Sequence, residues 1–172
     1  MTPELESLVN QIISAEHGMN LIEQTHMAVD QMEGYQGAKR MHRYNSRWRN
    51  EAAIRLANHV IDNYDIMPRA TVQFTTPTAP VSYEAGVRAM ISSYESLRLM
   101  YKDLSRMSLT ENLDELMQLA ESQLCWVACV KRKYKRELKE TMGKSTEFLQ
   151  MRSMEIHKKY KEKEKEFRVD TY

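Results

Sequence analysis

The stretch from residue 65 to residue 82, DIMPRATVQFTTPTAPVS, most constrains how this chain folds. It is the only long segment without helical periodicity, and it holds three of the four prolines of the chain, at positions 68, 77 and 80. Each proline removes a backbone donor, so the segment is not a helix. Long helical patterns lie on both sides of it. A connection of this length is sufficient to run along a whole helical bundle.

Two helical hairpins flank this crossover. Gly34–Gly37 marks a short turn between the first two helices, and Ser105–Ser108 is predicted to be the turn between the next two, with Ser108 and Glu111 forming a capping box. Short turns make neighbouring helices antiparallel. The sequence therefore predicts an all-α, antiparallel four-helix bundle over residues 1–142. A further helix from about Ser145 and a charged tail make up residues 143–172.

Composition excludes several classes of function. The 25 basic and 24 acidic side chains leave a net charge of +1, so no overall basic field favours nucleic acid as a partner. No run of about 18 apolar residues predicts a membrane span, and the first residues do not resemble a signal peptide. We therefore expect a cytoplasmic protein without a membrane partner. Cys125 and Cys129, four residues apart, are interpreted as small apolar side chains rather than a thiol site.

Four polar side chains are candidates for the interior of the bundle. Glu16 and Glu23 lie two helical turns apart and point the same way. Glu95 follows Ile91 by four residues, at the margin of the core, and Gln123 falls within the apolar stripe of the fourth helix. A buried amide needs a hydrogen-bond partner. For Gln123 the candidate partners are Glu16, Glu95 or a metal-bound water.

The second helix is strongly basic. We interpret its arginines and lysine as a surface facing solvent or another subunit, and we expect its two histidines to be surface or packing residues. The basic residues are Lys39, Arg40, Arg43, Arg47, Arg49 and Arg55, and the histidines are His42 and His59. The tail from Lys158 onwards, KKYKEKEKEFRVDTY, is interpreted as a solvated end, because like charges recur four residues apart.

The order of these features over about residues 5–140 resembles that of ferritin. The similar segments are the turn at Gly34–Ala38 and the sequence ANHVIDNYDIMPRATVQFTTPTAPVSYEAGVRAM around the crossover. The resemblance implies a homo-oligomer and a di-iron ferroxidase site made of a Glu on the first helix, a Glu-x-x-His pair on the second, a Glu on the third and a Gln on the fourth. It places the metal ligands at Glu16, Glu51, Glu95 and Gln123.

The second helix departs from the ferritin pattern. The Glu-x-x-His pair falls on Trp48 and Glu51, so an indole replaces the glutamate that bridges two metals and a carboxylate replaces the histidine. An indole does not ligate a hard cation. The Glu-x-x-His at Glu23 and His26 lies on the first helix, off the pattern, and is interpreted as coincidental.

Three hypotheses follow. The first is a divergent ferritin-like protein that binds or stores iron, with a weakened or lost ferroxidase site. The second is a ferritin-fold protein that acts by assembly or by binding a partner, without metal; it is motivated by Trp48 and by the charged tail. The third is a four-helix module unrelated to ferritin.

Overall fold

The computed structural model describes residues 1–70 and 77–166, which form five helices and no strand. The helices are α1 (Pro3–Met32), α2 (Gln36–Tyr64), α3 (Tyr83–Thr110), α4 (Asp114–Thr141) and α5 (Thr146–Glu166). The predicted all-α four-helix bundle with an additional C-terminal helix is confirmed. No helix in the described ranges is long and apolar enough to cross a membrane.

The first four helices pair as two hairpins. The closest packing is of α1 on α2 and of α3 on α4, and the hairpins meet mainly through α1 and α3. The crossover begins after Tyr64 and ends before Tyr83, as its prolines predict; residues 71–76 within it lie outside the described part of the chain. The buried apolar side chains of all five helices form one core.

The predicted turn at Ser105–Ser108 is wrong. Helix α3 continues to Thr110, and Ser108 is fully buried in its last turn instead of capping α4. The chain reverses one turn later, where Asn112 adopts a left-handed backbone conformation with φ of 58°. Glu111 accepts hydrogen bonds from the backbone and hydroxyl of Thr2, so it ties the start of α1 to this turn.

Helix α5 packs on α2 and is longer than the charge pattern predicts. It extends to Glu166, and Tyr160 is buried against the bundle. The interpretation of the tail from Lys158 onwards as a solvated end is therefore wrong for Tyr160. Gly37 allows the close approach of the two helices: a Cβ atom there would lie 1.7 Å from the carbonyl oxygen of Ser153. The Gly37 amide donates a hydrogen bond of 2.8 Å to the Ser153 hydroxyl.

Candidate functional site

Three acidic side chains of α1 point into the bundle. Glu16, Glu23 and Asp30 are spaced seven residues apart, which places them on one stripe of the helix, and all three are buried. Opposite them, α2 contributes His42, Asn45 and Arg49, while tyrosines of α3 and α4 complete the surroundings. The interior therefore holds two connected polar clusters within an otherwise apolar core.

The first cluster is an ion pair between Glu16 and Arg49. Arg49 Nη1 donates to both carboxylate oxygens of Glu16, at 2.7 and 2.9 Å, and the Tyr101 hydroxyl donates to Oε1 at 2.6 Å. Both charged side chains have zero solvent exposure. Burial raises the pKa of Glu16 to about 7, although the positive charge of Arg49 and the two hydrogen-bond donors act in the opposite direction.

Arg49 is held on its other side by aromatic rings. Its guanidinium carbon lies 4.1 Å from the centre of the Trp126 ring and 5.9 Å from that of Tyr94. Trp48 packs behind Trp126, with 5.7 Å between ring centres. The Nε and Nη2 atoms of Arg49 are buried without a hydrogen-bond partner, so the cation–π contact with Trp126 supplies part of the compensation for burying the charge.

The second cluster is centred on Glu23. The Tyr94 hydroxyl donates to Glu23 Oε1 at 2.6 Å, the Tyr134 hydroxyl lies 3.1 to 3.2 Å from both carboxylate oxygens, and His42 Nδ1 makes a short contact with Oε2. Asn45 donates to the Tyr134 hydroxyl at 3.0 Å. Glu23 therefore serves as the acceptor for side chains from the three other helices of the bundle.

The histidine of this cluster bridges two carboxylates. Its second ring nitrogen, Nε2, lies 3.3 Å from Asp30 Oδ2. Burial opposes the charged form of His42, but the charges of Glu23 and Asp30 and the hydrogen bond to Glu23 outweigh it and raise the pKa of His42. Burial raises the pKa of Asp30 to about 7 and, together with the charge of His42, lowers that of His26 to about 4.

These shifts predict how stability depends on pH. Glu16, Asp30 and His42 have raised pKa values, so the stabilisation that each brings is complete below its ordinary pKa and is lost as pH rises through its folded pKa. The lowered pKa of His26 acts in the opposite direction, but its contribution is complete above the ordinary value of 6.5. The free energy of unfolding should therefore decrease as pH rises from 6.5 through the folded pKa of about 7 of Glu16 and Asp30, by up to about 1.4 kcal/mol per pH unit for each proton that the folded state binds in excess of the unfolded state.

Urea unfolding at constant ionic strength across this pH range measures the decrease. Asp30→Asn should reduce the slope, because it removes one of the three titrating groups, whereas the same change at exposed Asp103 should leave it unaltered. A stability that rises over this range would contradict the assignment.

The four predicted metal ligands lie in different environments. Glu16 is buried and paired with Arg49, and Gln123 is buried as predicted. Glu51 is exposed on α2. Glu95 is partly exposed and pairs with Arg98 and Lys131, whose hydrogen bonds lower its pKa to about 2. Glu16 and Glu95 therefore bond to partners other than Gln123. No hydrogen bond joins any two of the four predicted ligands.

The arrangement does not fit a metal centre as it stands. No group of three or more His, Cys, Asp or Glu side chains placed to hold a metal ion occurs within residues 1–70 and 77–166. At the one predicted ligand that is both acidic and buried, Glu16, a guanidinium takes both carboxylate oxygens. That cation supplies the positive charge that a metal would otherwise provide to the carboxylate.

Sequence reasoning missed several members of these clusters. Arg49 was expected at the surface of α2 and His42 was expected to be a surface or packing residue, yet both are buried and bonded to acids of α1. Glu23 and His26 were regarded as a coincidental pair, although both are buried beside His42. A signal for these pairs was present in the sequence. Acidic residues at positions 16, 23 and 30 share one face of α1, and polar residues at positions 42, 45 and 49 share one face of α2.

Ferritins are among the solved structures that this chain resembles. The chain is similar to an open-pore ferritin from the hyperthermophilic archaeon Archaeoglobus fulgidus, at 12% identity over 91% of this chain and 98% of that one, with a TM-score of 0.81. A humanized archaeal ferritin gives 12% identity, coverage of 91% and 97%, and a TM-score of 0.81. An engineered closed form of the Archaeoglobus fulgidus ferritin gives 12% identity over 91% of this chain and 96% of that one, with a TM-score of 0.78.

No protein-family model matches the sequence, and no curated protein does either. The likeness is therefore one of architecture: this chain has a ferritin-like fold, with five helices and one long crossover.

Proposed function

We propose that this chain is a subunit of a homo-oligomeric, ferritin-fold assembly that has lost ferroxidase chemistry and acts without a metal in the centre of its bundle. The single observation that carries the proposal is the fully buried Arg49, which engages both oxygens of Glu16. A di-iron centre needs convergent carboxylates to offset its charge, and here α2 contributes a cation instead.

Assembly is supported by the surface of the bundle and by the similar structures. Large apolar side chains are exposed on the outer faces, among them Ile54 of α2, Leu99 of α3 and Met67 of the crossover. Exposed apolar side chains of this kind favour protein–protein contact when they form a patch. Among the structures to which the chain is similar are a ferritin with an open pore and one engineered to a closed form. A cytoplasmic location fits this function and remains an expectation.

Anaerobic titration of the purified protein with Fe(II), followed by exposure to oxygen, tests the loss of ferroxidase chemistry. Native mass spectrometry of the same sample measures the oligomer. We expect a closed homo-oligomer, no saturable Fe(II) binding and no ferric absorbance that forms faster than in buffer alone. Saturable binding of one or two Fe(II) per chain with rapid oxidation would overturn the proposal.

The iron-binding hypothesis stays a prediction that the same titration decides. It assigns the ligands to Glu16, Glu51, Glu95 and Gln123. If Fe(II) binds, Glu16→Gln and Glu51→Gln should each reduce the number of ions bound, because each removes a carboxylate ligand. A monomer that neither binds iron nor assembles would contradict both hypotheses.

A further inference from the structure

A groove with basic walls lies between α4 and α5, outside the two polar clusters. Helix α5 packs on α2 rather than closely on α4, and the space left between α4 and α5 has a volume of about 180 Å³. Long charged side chains of both helices line it. They include Lys133 and Arg136 of α4 and Arg152 and Lys159 of α5.

The acidic residues around this groove share one arginine as their ion-pair partner. Arg152 contacts Glu137 at 3.4 Å, Glu155 at 2.9 Å and, at shorter range, Glu140. Glu137 also accepts a hydrogen bond of 3.0 Å from the Tyr83 hydroxyl. The lining holds four basic side chains against two carboxylates, and both carboxylates pair with Arg152 rather than with a lysine. The groove therefore keeps an excess of positive charge.

The lysines of the groove lack such partners. Within the described part of the chain, Lys133, Arg136 and Lys159 make no ion pair or hydrogen bond through their side chains. Lys163 follows Lys159 by four residues, on the same face of α5, and its ammonium lies 5.7 Å from the centre of the Tyr160 ring. Lys133 is half-buried.

The positive charges of these neighbouring side chains repel one another. Burial lowers the pKa of Lys133, and the nearby charges of Lys163 and Lys159 lower it further. A bound anion would relieve this repulsion and make charge-assisted hydrogen bonds with the ammonium groups. The volume of the groove suits a compact, multiply charged group rather than a folded partner.

We propose that this groove binds a phosphate group, either as free phosphate or as part of a small phosphorylated molecule, with Lys133 and Lys159 as its principal ligands. Phosphate combines small size, charge near −2 and several acceptor oxygens, which matches lysines that converge from two helices. The proposal is independent of whether the bundle centre binds iron.

Calorimetric titration of the full chain at constant ionic strength, with inorganic phosphate, pyrophosphate and ATP in separate experiments, tests it. We expect saturable binding of at least one of them. Binding of inorganic phosphate identifies the free ion as sufficient, whereas binding of ATP alone assigns the site to the phosphate chain of a larger molecule.

Lys133→Gln should weaken this binding about tenfold or more, because it removes one charge-assisted contact. The same substitution at Lys135, an exposed residue of α4 outside the groove, is the matched control and should change the affinity less than about twofold. The NMR-measured pKa of the Lys133 ammonium should rise on addition of the anion. Absence of saturable binding by all three anions, or equal affinities of Lys133→Gln and Lys135→Gln, would overturn the proposal.

Discussion

Arg49→Met should destabilise the protein by about 3 to 5 kcal/mol, because it leaves the buried carboxylate of Glu16 without its counterion. The effect should be smaller at low pH than at high pH. Without Arg49 the pKa of Glu16 rises further, so the carboxyl binds a proton and no longer carries an uncompensated charge. Urea unfolding at two pH values, on either side of neutrality, measures both the loss and its pH dependence.

Two further variants make this test specific. Arg47→Met removes an exposed arginine two residues away and should change stability by no more than about 0.5 kcal/mol. Adding Glu16→Gln to Arg49→Met should restore part of the lost stability, since neither partner is then charged and Tyr101 can still donate to the amide oxygen. If the double variant is less stable than Arg49→Met alone, the ion pair does not account for the loss.

Glu23→Leu should cost about 3 kcal/mol or more, because it removes the acceptor shared by Tyr94, Tyr134 and His42 and leaves these buried groups without it. Glu23→Gln should cost less, since the amide keeps one acceptor oxygen. Thermal and urea unfolding of the unsubstituted protein, Glu23→Gln and Glu23→Leu give the order of their stabilities. Gln24→Leu changes the neighbouring exposed residue and serves as the control.

The same variants predict a change that simple loss of packing would not cause. The charge of Glu23 and its hydrogen bond raise the pKa of His42, so the pKa of His42 should fall in Glu23→Gln. NMR titration of the imidazole measures this directly in the folded protein. An unchanged pKa would show that Glu23 and His42 are not electrostatically coupled.

The sequence predicts the architecture well because the relevant signals are local. The prolines from Pro68 onwards keep the segment after α2 out of a helix, and the side chains of Thr2 and Ser82 accept hydrogen bonds from backbone amides at the starts of α1 and α3. The turn between α3 and α4 was misplaced because Ser108 followed by Glu111 has the pattern of a capping box, whereas the fold buries Ser108 and uses Glu111 to bind Thr2. A local pattern does not reveal which tertiary contacts compete for the same residues.

The interior could be predicted only in part, because the position of a charged side chain depends on its partner in another helix. Glu16 and Gln123 were placed inside from their spacing, and both are buried. Arg49 was placed outside, since an arginine alone is rarely buried; only its pairing with Glu16 and its contact with Trp126 make the interior position favourable. Comparing polar positions on two helices at once would have revealed this pairing.

The close approach at Gly37 limits how copies of this chain can associate in the proposed assembly. Because backbone atoms of α5 occupy the space where any larger side chain at position 37 would stand, α5 shields one face of the first turns of α2 from other chains. In the proposed assembly, contacts between copies that involve α2 therefore avoid the face that α5 covers, whereas Ile54 lies exposed further along the helix. The C-terminal helix thus acts as a geometric restriction that leaves only part of the α2 face available to an assembly.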